Sequence, residues 1–384
     1  IKELTFIDNL KLRSSWGQTG NDGGISNYAW QPLYALGWNN ATEPGILQSS
    51  LGSKSLEWET NTAFDVALEF GLFKNRISGT IEYFDRKSTN LIFAVPLPLS
   101  VGIATETRNI GSMYNRGIEL QLGADVVRSK DFNWHIDLNA TKLENKITKM
   151  PDESKEIIDG TKKLKEGSSL YDYWLREYKG VNPETGVAEY RAVSYVPSNS
   201  RITASGDTLT NNIANARYWY NGTSIADLTG SVNTSLTYKG FSLSALMVYQ
   251  LGGKIYDGAY ASLMSAGYHS AKHVDILKRW VNPGDITEVP RMDNGRTADF
   301  DAASDRWLID GSFMNIRTVT LSYRIPKSFM SKLKIDNAQV YVSGENFLML
   351  SRRSGMNVQQ NFGGTTSNVY SPAKSLVLGI SFSL

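Results

Sequence analysis

The chain has no cysteine. That removes disulfides, thiolate metal sites and thiol nucleophiles from consideration, and it suits an oxidising compartment such as a periplasm or cell surface. It has no long hydrophobic run. The longest apolar stretch, LIFAVPLPLSVGI, is broken by Pro96 and Pro98, and nothing approaches the ~20 residues of a spanning helix. It has little charge imbalance: 40 basic against 38 acidic residues, with Lys and Arg scattered rather than striped, so nothing points to nucleic acid. Only 11 prolines occur in 384 residues, mostly between patterned segments.

Aromatic side chains are abundant, with 19 Tyr, 14 Phe and 9 Trp, and 33 glycines accompany them. Aromatic and β-branched residues suit strands, while Gly, Asn and Asp supply turns. Alternation with a period of two runs through the whole length. Phe132, Trp134, Ile136, Leu138 and Ala140 alternate with Asn133, His135, Asp137 and Asn139. Ile118, Leu120, Leu122, Ala124 and Val126 alternate with Glu119, Gln121, Gly123 and Asp125. Leu228, Val232, Leu236 and Tyr238 share a face, opposite Thr229, Ser231, Asn233, Ser235 and Thr237. Soluble sandwiches alternate too, but their strands average ~5–6 residues. Several segments here alternate for ten or more, and a tilted strand crossing a bilayer needs ~9–11. Aromatics near segment ends (Trp58, Phe70, Tyr83, Phe132, Trp134, Tyr238, Phe241, Tyr323, Tyr341) match interfacial girdles.

The pattern predicts about twelve strands, near 9–19, 60–71, 75–87, 113–127, 131–146, 170–181, 187–195, 227–238, 241–252, 311–325, 337–350 and 374–384. Short joints (LFKNR, RSKD, NPETG, YKG and the longer PKSFMSKLKIDN) alternate with long ones over 20–59, 88–112, 147–169, 196–226, 253–310 and 351–373. That asymmetry predicts an all-β transmembrane antiparallel barrel with short periplasmic turns and long extracellular loops. The last strand resembles a barrel-assembly signal, although its Phe382 precedes a terminal Leu384. The sequence starts at Ile1 with no leader, so the expectation is a fragment whose N-terminal part lies elsewhere.

Constellations that carry chemistry are sparse. His269 and His273 lie four apart with Asp275 nearby, but no Glu completes a zinc motif, and a loop helix is the plainer reading. Asp293, Asn294, Gly295, Asp299 and Asp301 offer oxygen ligands in an order foreign to an EF-hand, which reads as an acidic surface loop with a weak calcium-like character. Paired glycines in LGGKIYDG follow no nucleotide-binding pattern and read as a strand-end bend. Glu57, Glu59, Asp65 and Glu69 alternate on strands and are expected to line a wet lumen. No catalytic constellation, resident metal or cofactor is expected. Loop aromatics are the candidates for ligand or partner contact: Tyr28, Trp30 and Trp38 in the first long loop, and Tyr218, Trp219 and Tyr220 in another. Loop packing is the competing role for both groups.

An ordered set of segments resembles the SusC/RagA family of TonB-dependent outer-membrane transporters of Bacteroidetes. LKLRSSWGQTGND at 10–22 is similar to its strand-to-loop segment, and the hairpin LEWETNTAFDVALEFGLFKNRISGTIEYFDRKSTNLI at 56–92 is its most recognisable part. NIGSMYNRGIELQLGADVV, FNWHIDLNATKLENKI, YKGVNPETGVAEY, YKGFSLSALMVYQLGGKIYD, DILKRWVNPGD, FMNIRTVTLSYRIP and VYVSGENFLML follow in family order. The resemblance implies that residues 1–384 are the C-terminal part of a plugged barrel of ~22 strands. It also implies no enzymatic activity, a SusD-like lipoprotein over the extracellular mouth, contact with TonB through the N-terminal part, a glycan or oligopeptide substrate, and possible dimers of SusC–SusD pairs. A passive porin or adhesin barrel, or a soluble carbohydrate-binding β-sandwich, are the competing classes.

Overall fold

The computed structural model describes residues 4–23, 25–152, 154–267, 271–330, 335–354, 356–359, 362–366 and 371–383. Ten long strands dominate. They are β1 (Ile7–Asn21), β2 (Glu59–Leu72), β3 (Ile77–Thr89), β4 (Ser112–Arg128) and β5 (Phe132–Lys149). The remainder are β6 (Leu228–Tyr238), β7 (Phe241–Leu251), β8 (Phe313–Arg324), β9 (Asn337–Ser351) and β10 (Ser375–Ser383). Each falls on an expected interval. The strands expected over 170–181 and 187–195 take another form: short strands Asp172–Arg176, Tyr178–Val181 and Ala188–Arg191, paired with other short strands. Their residues explain the difference. Ala188, Glu189 and Tyr190 are buried on both faces, whereas a wall strand must leave one face open.

The chain divides into two compact units. The first comprises residues 1–123, 141–157 and 164–170; the second comprises 124–140, 158–163 and 171–384. In the first, β1 pairs with β2 from Ile7↔Leu72 to Asn21↔Glu59, and β2 pairs with β3 from Thr60↔Thr89 to Leu72↔Ile77, all antiparallel. The β2–β3 turn places Phe73, Lys74 and Asn75 in the left-handed region (φ 55°, 58° and 54°), a conformation that costs energy for residues with a Cβ. Two contacts hold it: the Asn75 amide donates to Asp8 Oδ2 at 2.8 Å, and Phe73 stacks on Phe6 at 5.9 Å.

Registered pairing puts Leu10, Phe70 and Gly79 on one face with Leu12, Leu68 and Ile81, followed by Trp16 and Phe64. That apolar face is open: Leu12 is 72% exposed and Trp16 67%. The opposite face is polar and carries Lys11, Arg13, Asp65, Glu69 and Glu82. It also carries Phe84, folded inward against Gly117, whose missing Cβ makes the room.

The second unit repeats the inversion. β6 through β10 pair in chain order, each antiparallel to the next. Leu243, Leu321, Val342 and Leu378 run across four strands of one face. Leu378 is 78% exposed and Ile380 72%. At the short-turn end of this face Phe132 meets Tyr238 edge-on at 6.5 Å, and Phe241 meets Tyr323 at 4.5 Å, a girdle of the kind found where hydrocarbon gives way to headgroups.

The long connections of this unit fold in the ordinary sense, apolar inward. Trp307, Tyr173, Tyr190, Leu175 and Met264 are fully buried there. Met264, Val289, Phe300 and Trp307 share one core, and Ala188, Tyr190, Ala216 and Ala302 another. Polar ties join segments distant in sequence: the Tyr173 hydroxyl donates to the Gly364 carbonyl at 2.6 Å, and buried Asp257 pairs with Arg353 and accepts from the Thr366 hydroxyl at 3.0 Å. Among the described residues no helix is long and apolar enough to cross a membrane. This leaves crossing by strands open.

Candidate functional site

On the polar face of β1–β3, carboxylates and cations interleave. Lys11 and Arg13 reach Glu69 at 3.2 and 2.9 Å, Arg13 also pairs with Glu82, and Arg86 lies 3.8 Å from Asp65. Glu59, at the long-loop end, accepts from Asn21 Nδ2 at 2.8 Å and from the Ile92 amide at 2.9 Å. The second unit has its own polar face, which carries hydroxyls and amides: Asn139 donates to Ser231 at 2.7 Å, and Thr320 meets Ser343 at 2.8 Å. Half-exposed ion pairs of this kind add little stability. Their effect is to keep the face wet.

Tyr28, Trp30 and Trp38 all stand exposed in the first long connection. Between them a small hairpin, Leu33–Leu36 with Ile46–Ser50, adds Tyr34, Leu36 and Ile46 to the open apolar surface. Leu36 is 81% exposed. Solitary surface apolars need no explanation; within the hairpin, Leu36 and Ile46 stand directly opposite each other.

Tyr218, Trp219 and Tyr220 do not act as one cluster. They lie on the strand Tyr218–Thr223, which pairs with Asp172–Arg176, so alternate residues point to opposite sides. Tyr218 and Tyr220 flank Trp174, stacked at 6.2 Å and edge-on at 4.9 Å. Cations cap this ladder: Lys163 Nζ sits 4.1 Å over Trp174 and Arg176 sits 4.5 Å over Tyr218. Trp219 faces the other way and donates its indole N–H to Asn221 Oδ1 at 2.5 Å. Trp174 and Arg176, two apart in the sequence, share this side of the strand, while Leu175 lies opposite Trp219 on the other.

Beside this ribbon lies a cavity of 490 Å³ whose wall includes Asp227, Lys254, Asp305 and Asp310. Burial raises the Asp305 carboxyl above the ordinary carboxylate range, although the Tyr178 amide donates to it at 2.8 Å. The Ser312 hydroxyl and amide hold Asp310 below that range. A second cavity, of 440 Å³, opens between the upper part of β9 and residues 371–374.

The acidic loop is internally neutralised. Asp293 pairs with Arg291 at 2.7 Å, Asp299 pairs with Arg296 at 2.8 Å, and Asp301 accepts from the Ser265 hydroxyl at 2.5 Å and the Ala266 amide at 3.0 Å. Asn294 opens the short helical turn that Asp293 caps. Among the described residues no three His, Asp or Glu side chains converge on one point. His269 lies outside the described residues. His273 caps a short helical turn through Nδ1, which accepts from the Asp275 amide at 3.2 Å.

The family profile described as TonB dependent receptor-like, beta-barrel matches residues 4–346. The TonB-dependent receptor P3 of Formosa agariphila is 27% identical over 94% of this chain, and TonB-dependent receptor SusC of Bacteroides thetaiotaomicron is 25% identical over 99%. A solved structure titled as the RagAB peptide transporter superposes with a TM-score of 0.84 at 25% identity, over 98% of this chain. The chain spans 37% of the P3 receptor, 38% of SusC and 41% of the RagAB chain.

Proposed function

The chain belongs to the TonB-dependent receptor-like β-barrel family, and from that premise we propose that it forms part of the wall and extracellular mouth of an outer-membrane importer energised through TonB. The family's fold is a barrel, and its SusC and RagA relatives are outer-membrane receptors and transporters rather than enzymes. The observation that carries the reading is the inverted wall within each unit: in the first, Leu12 and Trp16 stand open on one face and ion pairs occupy the other, and in the second, Leu378 and Ile380 stand open while paired hydroxyls occupy the other. Such a surface is stable against hydrocarbon on one side and water on the other.

In this reading the long connections form the outer mouth, and the exposed group around Leu36 and Trp38 receives a SusD-like lipoprotein that closes it. The cargo is an oligopeptide or a glycan, bound non-covalently, occluded and released inward when the plug moves. The test is uptake by cells carrying the full-length gene, with and without TonB. Accumulation of labelled oligopeptide or oligosaccharide should require TonB; accumulation unaffected by its deletion would leave a passive pore as the better description.

A further inference from the structure

We propose that the first unit binds a phosphate-bearing lipid of the outer leaflet, at the long-loop end of the apolar face of β3–β5. This deepens the importer reading and rests on its assignment of that face to hydrocarbon. Side-chain parity fixes which residues stand there. On β3, Asp85 and Lys87 lie opposite Phe64 and Thr62, and so continue the open row in which Ile81 and Tyr83 lie opposite Leu68 and Val66. On β4, Gly117 receives the inward ring of Phe84, which turns Tyr114, Arg116 and the 53% exposed Ile118 to the apolar face. On β5, buried Asn145 bonds Asn115 at 2.8 Å on the inward side, so Lys142, Glu144 and Lys146 face outward.

The chemistry of this face changes abruptly along each strand. Leu122, Leu120 and Ile118 give way to Arg116 and Tyr114 on β4, and Ile81 and Tyr83 give way to Asp85 and Lys87 on β3. The two carboxylates are already bound. Glu144 meets Arg116 at 2.8 Å, accepts from the Tyr114 hydroxyl at 3.2 Å and lies 3.7 Å from Lys146, while Asp85 lies 3.5 Å from Lys87. Arg116 also stacks over the Tyr114 ring at 4.5 Å. Lys142 is exposed and joins none of these pairs. Four cations (Lys87, Arg116, Lys142 and Lys146) thus stand with two carboxylates, and the excess is positive where the apolar band ends.

An occupant has to satisfy both halves of this surface. A free anion would use the cations and leave Ile81 and Ile118 uncovered, while a neutral lipid would cover those residues and leave the positive excess unanswered. A lipid with a phosphate headgroup does both. Its chains run along Ile81 and Ile118, and its phosphate meets Arg116 and Lys142. The arginine offers a planar fork of donors and the lysine a mobile point charge. The aliphatic stems of Lys142 and Lys146 carry apolar cover up to the level of the headgroups.

The experiment is native mass spectrometry of the full-length protein in detergent, incubated with lipid A, with dephosphorylated lipid A, and with lipid A in the presence of excess inorganic phosphate. The protein should retain lipid A and not its dephosphorylated form, and inorganic phosphate should not displace it. Two cations at about five-fold each predict that Lys142→Gln/Lys146→Gln lowers retention roughly ten-fold or more. Lys11→Gln/Arg86→Gln removes the same charge from the wet face of the same unit and should leave retention unchanged; heat-modifiable gel migration checks that both variants fold. Equal retention of the two lipids by the wild-type protein, retention of neither, or displacement by inorganic phosphate overturns the proposal without any variant. So does an outward double variant that retains lipid A as the wild type does, or an inward one that loses it equally. TonB-dependent uptake that persists alongside such a result would preserve the importer reading and sink only the lipid site.

Discussion

Trp134 donates its indole N–H to the Thr234 hydroxyl at 3.0 Å, between β5 and β6. Both residues belong to the face that also carries Phe132 and Tyr238. In water such a bond is replaceable; against hydrocarbon the indole N–H has no other acceptor. Thr234→Val should therefore destabilise the wall by about 1–3 kcal/mol, the cost of a buried donor left unpaired. Trp134→Phe in the same background should recover most of that loss. Urea unfolding of the full-length protein in micelles or vesicles, run as a double-mutant cycle, measures both. Additive losses would show that the bond does not matter.

Leu378 and Ser343 test the two faces of the wall. Leu378, on β10, lies in the open apolar row, while Ser343, on β9, bonds Thr320 on the polar face. A cation on the lipid side of a barrel costs about 2–4 kcal/mol near the midplane. Leu378→Arg should reduce the yield of folded, heat-modifiable protein in the outer membrane, and Ser343→Lys should change it little. A soluble sandwich predicts the reverse, since replacing an exposed leucine with arginine improves solubility. Equal yields for the two variants would remove the membrane assignment of this face.

Glu177 organises the loop assembly of the second unit. Its carboxylate is buried and meets Lys179 at 2.7 Å, Arg191 at 3.3 Å and Arg217 at 2.5 Å. Burial pushes its pKa up, but Lys179 and Arg217 outweigh burial and the net shift is downward from 4.5. A carboxylate with a lowered folded pKa stabilises the fold above its unfolded value, and that contribution is lost as pH falls through the folded one. The loops should thus hold at neutral pH and loosen below about pH 4.5, a window set by the unfolded carboxylate. Glu177→Gln takes the carboxylate from the half-exposed Lys179 and Arg217, while Arg191 keeps Asp207 at 2.7 Å, and should cost about 1–3 kcal/mol at pH 7. Limited proteolysis of the loops across pH 3–7 reads both effects. Protection that is the same in variant and wild type at pH 7 would mean that the cations find other partners.

What the sequence disclosed and what it withheld divide along a physical line. Period-two alternation located all ten long strands because wall residues meet a uniform environment on each side, so their chemistry follows parity alone. Loop residues meet each other instead. Tyr173 binds Gly364 and Asn315 binds Gln359, contacts set by the fold rather than by local pattern. The alternation at 187–195 was real, but it served a strand buried on both faces. Tyr218, Trp219 and Tyr220 were visible as a cluster, while their separation onto two sides of a ribbon required the register against Asp172–Arg176. Asp293, Asp299 and Asp301 were visible as acids, while the arginines and the serine that occupy them were not.

The first long connection tests the partner. Leu36 and Ile46 are directly opposed in the Leu33–Leu36/Ile46–Ser50 hairpin, and both are exposed, Ile46 at 65%. Two opposed aliphatic side chains in a small apolar group are a poor arrangement in water and a good one beneath a covering protein, where a few central residues dominate the binding energy. Replacing both with glutamate places two like charges directly across the ladder, which weakens the hairpin slightly and the interface severely. The Leu36→Glu/Ile46→Glu protein should reach the outer membrane at wild-type yield and lose co-purification with the proposed SusD-like lipoprotein by ten-fold or more. Trp38→Ala, which removes area without adding charge, should give an intermediate loss. Undiminished co-purification from the double variant would move the docking surface to the loops of the second unit and leave Leu36 and Ile46 without a partner.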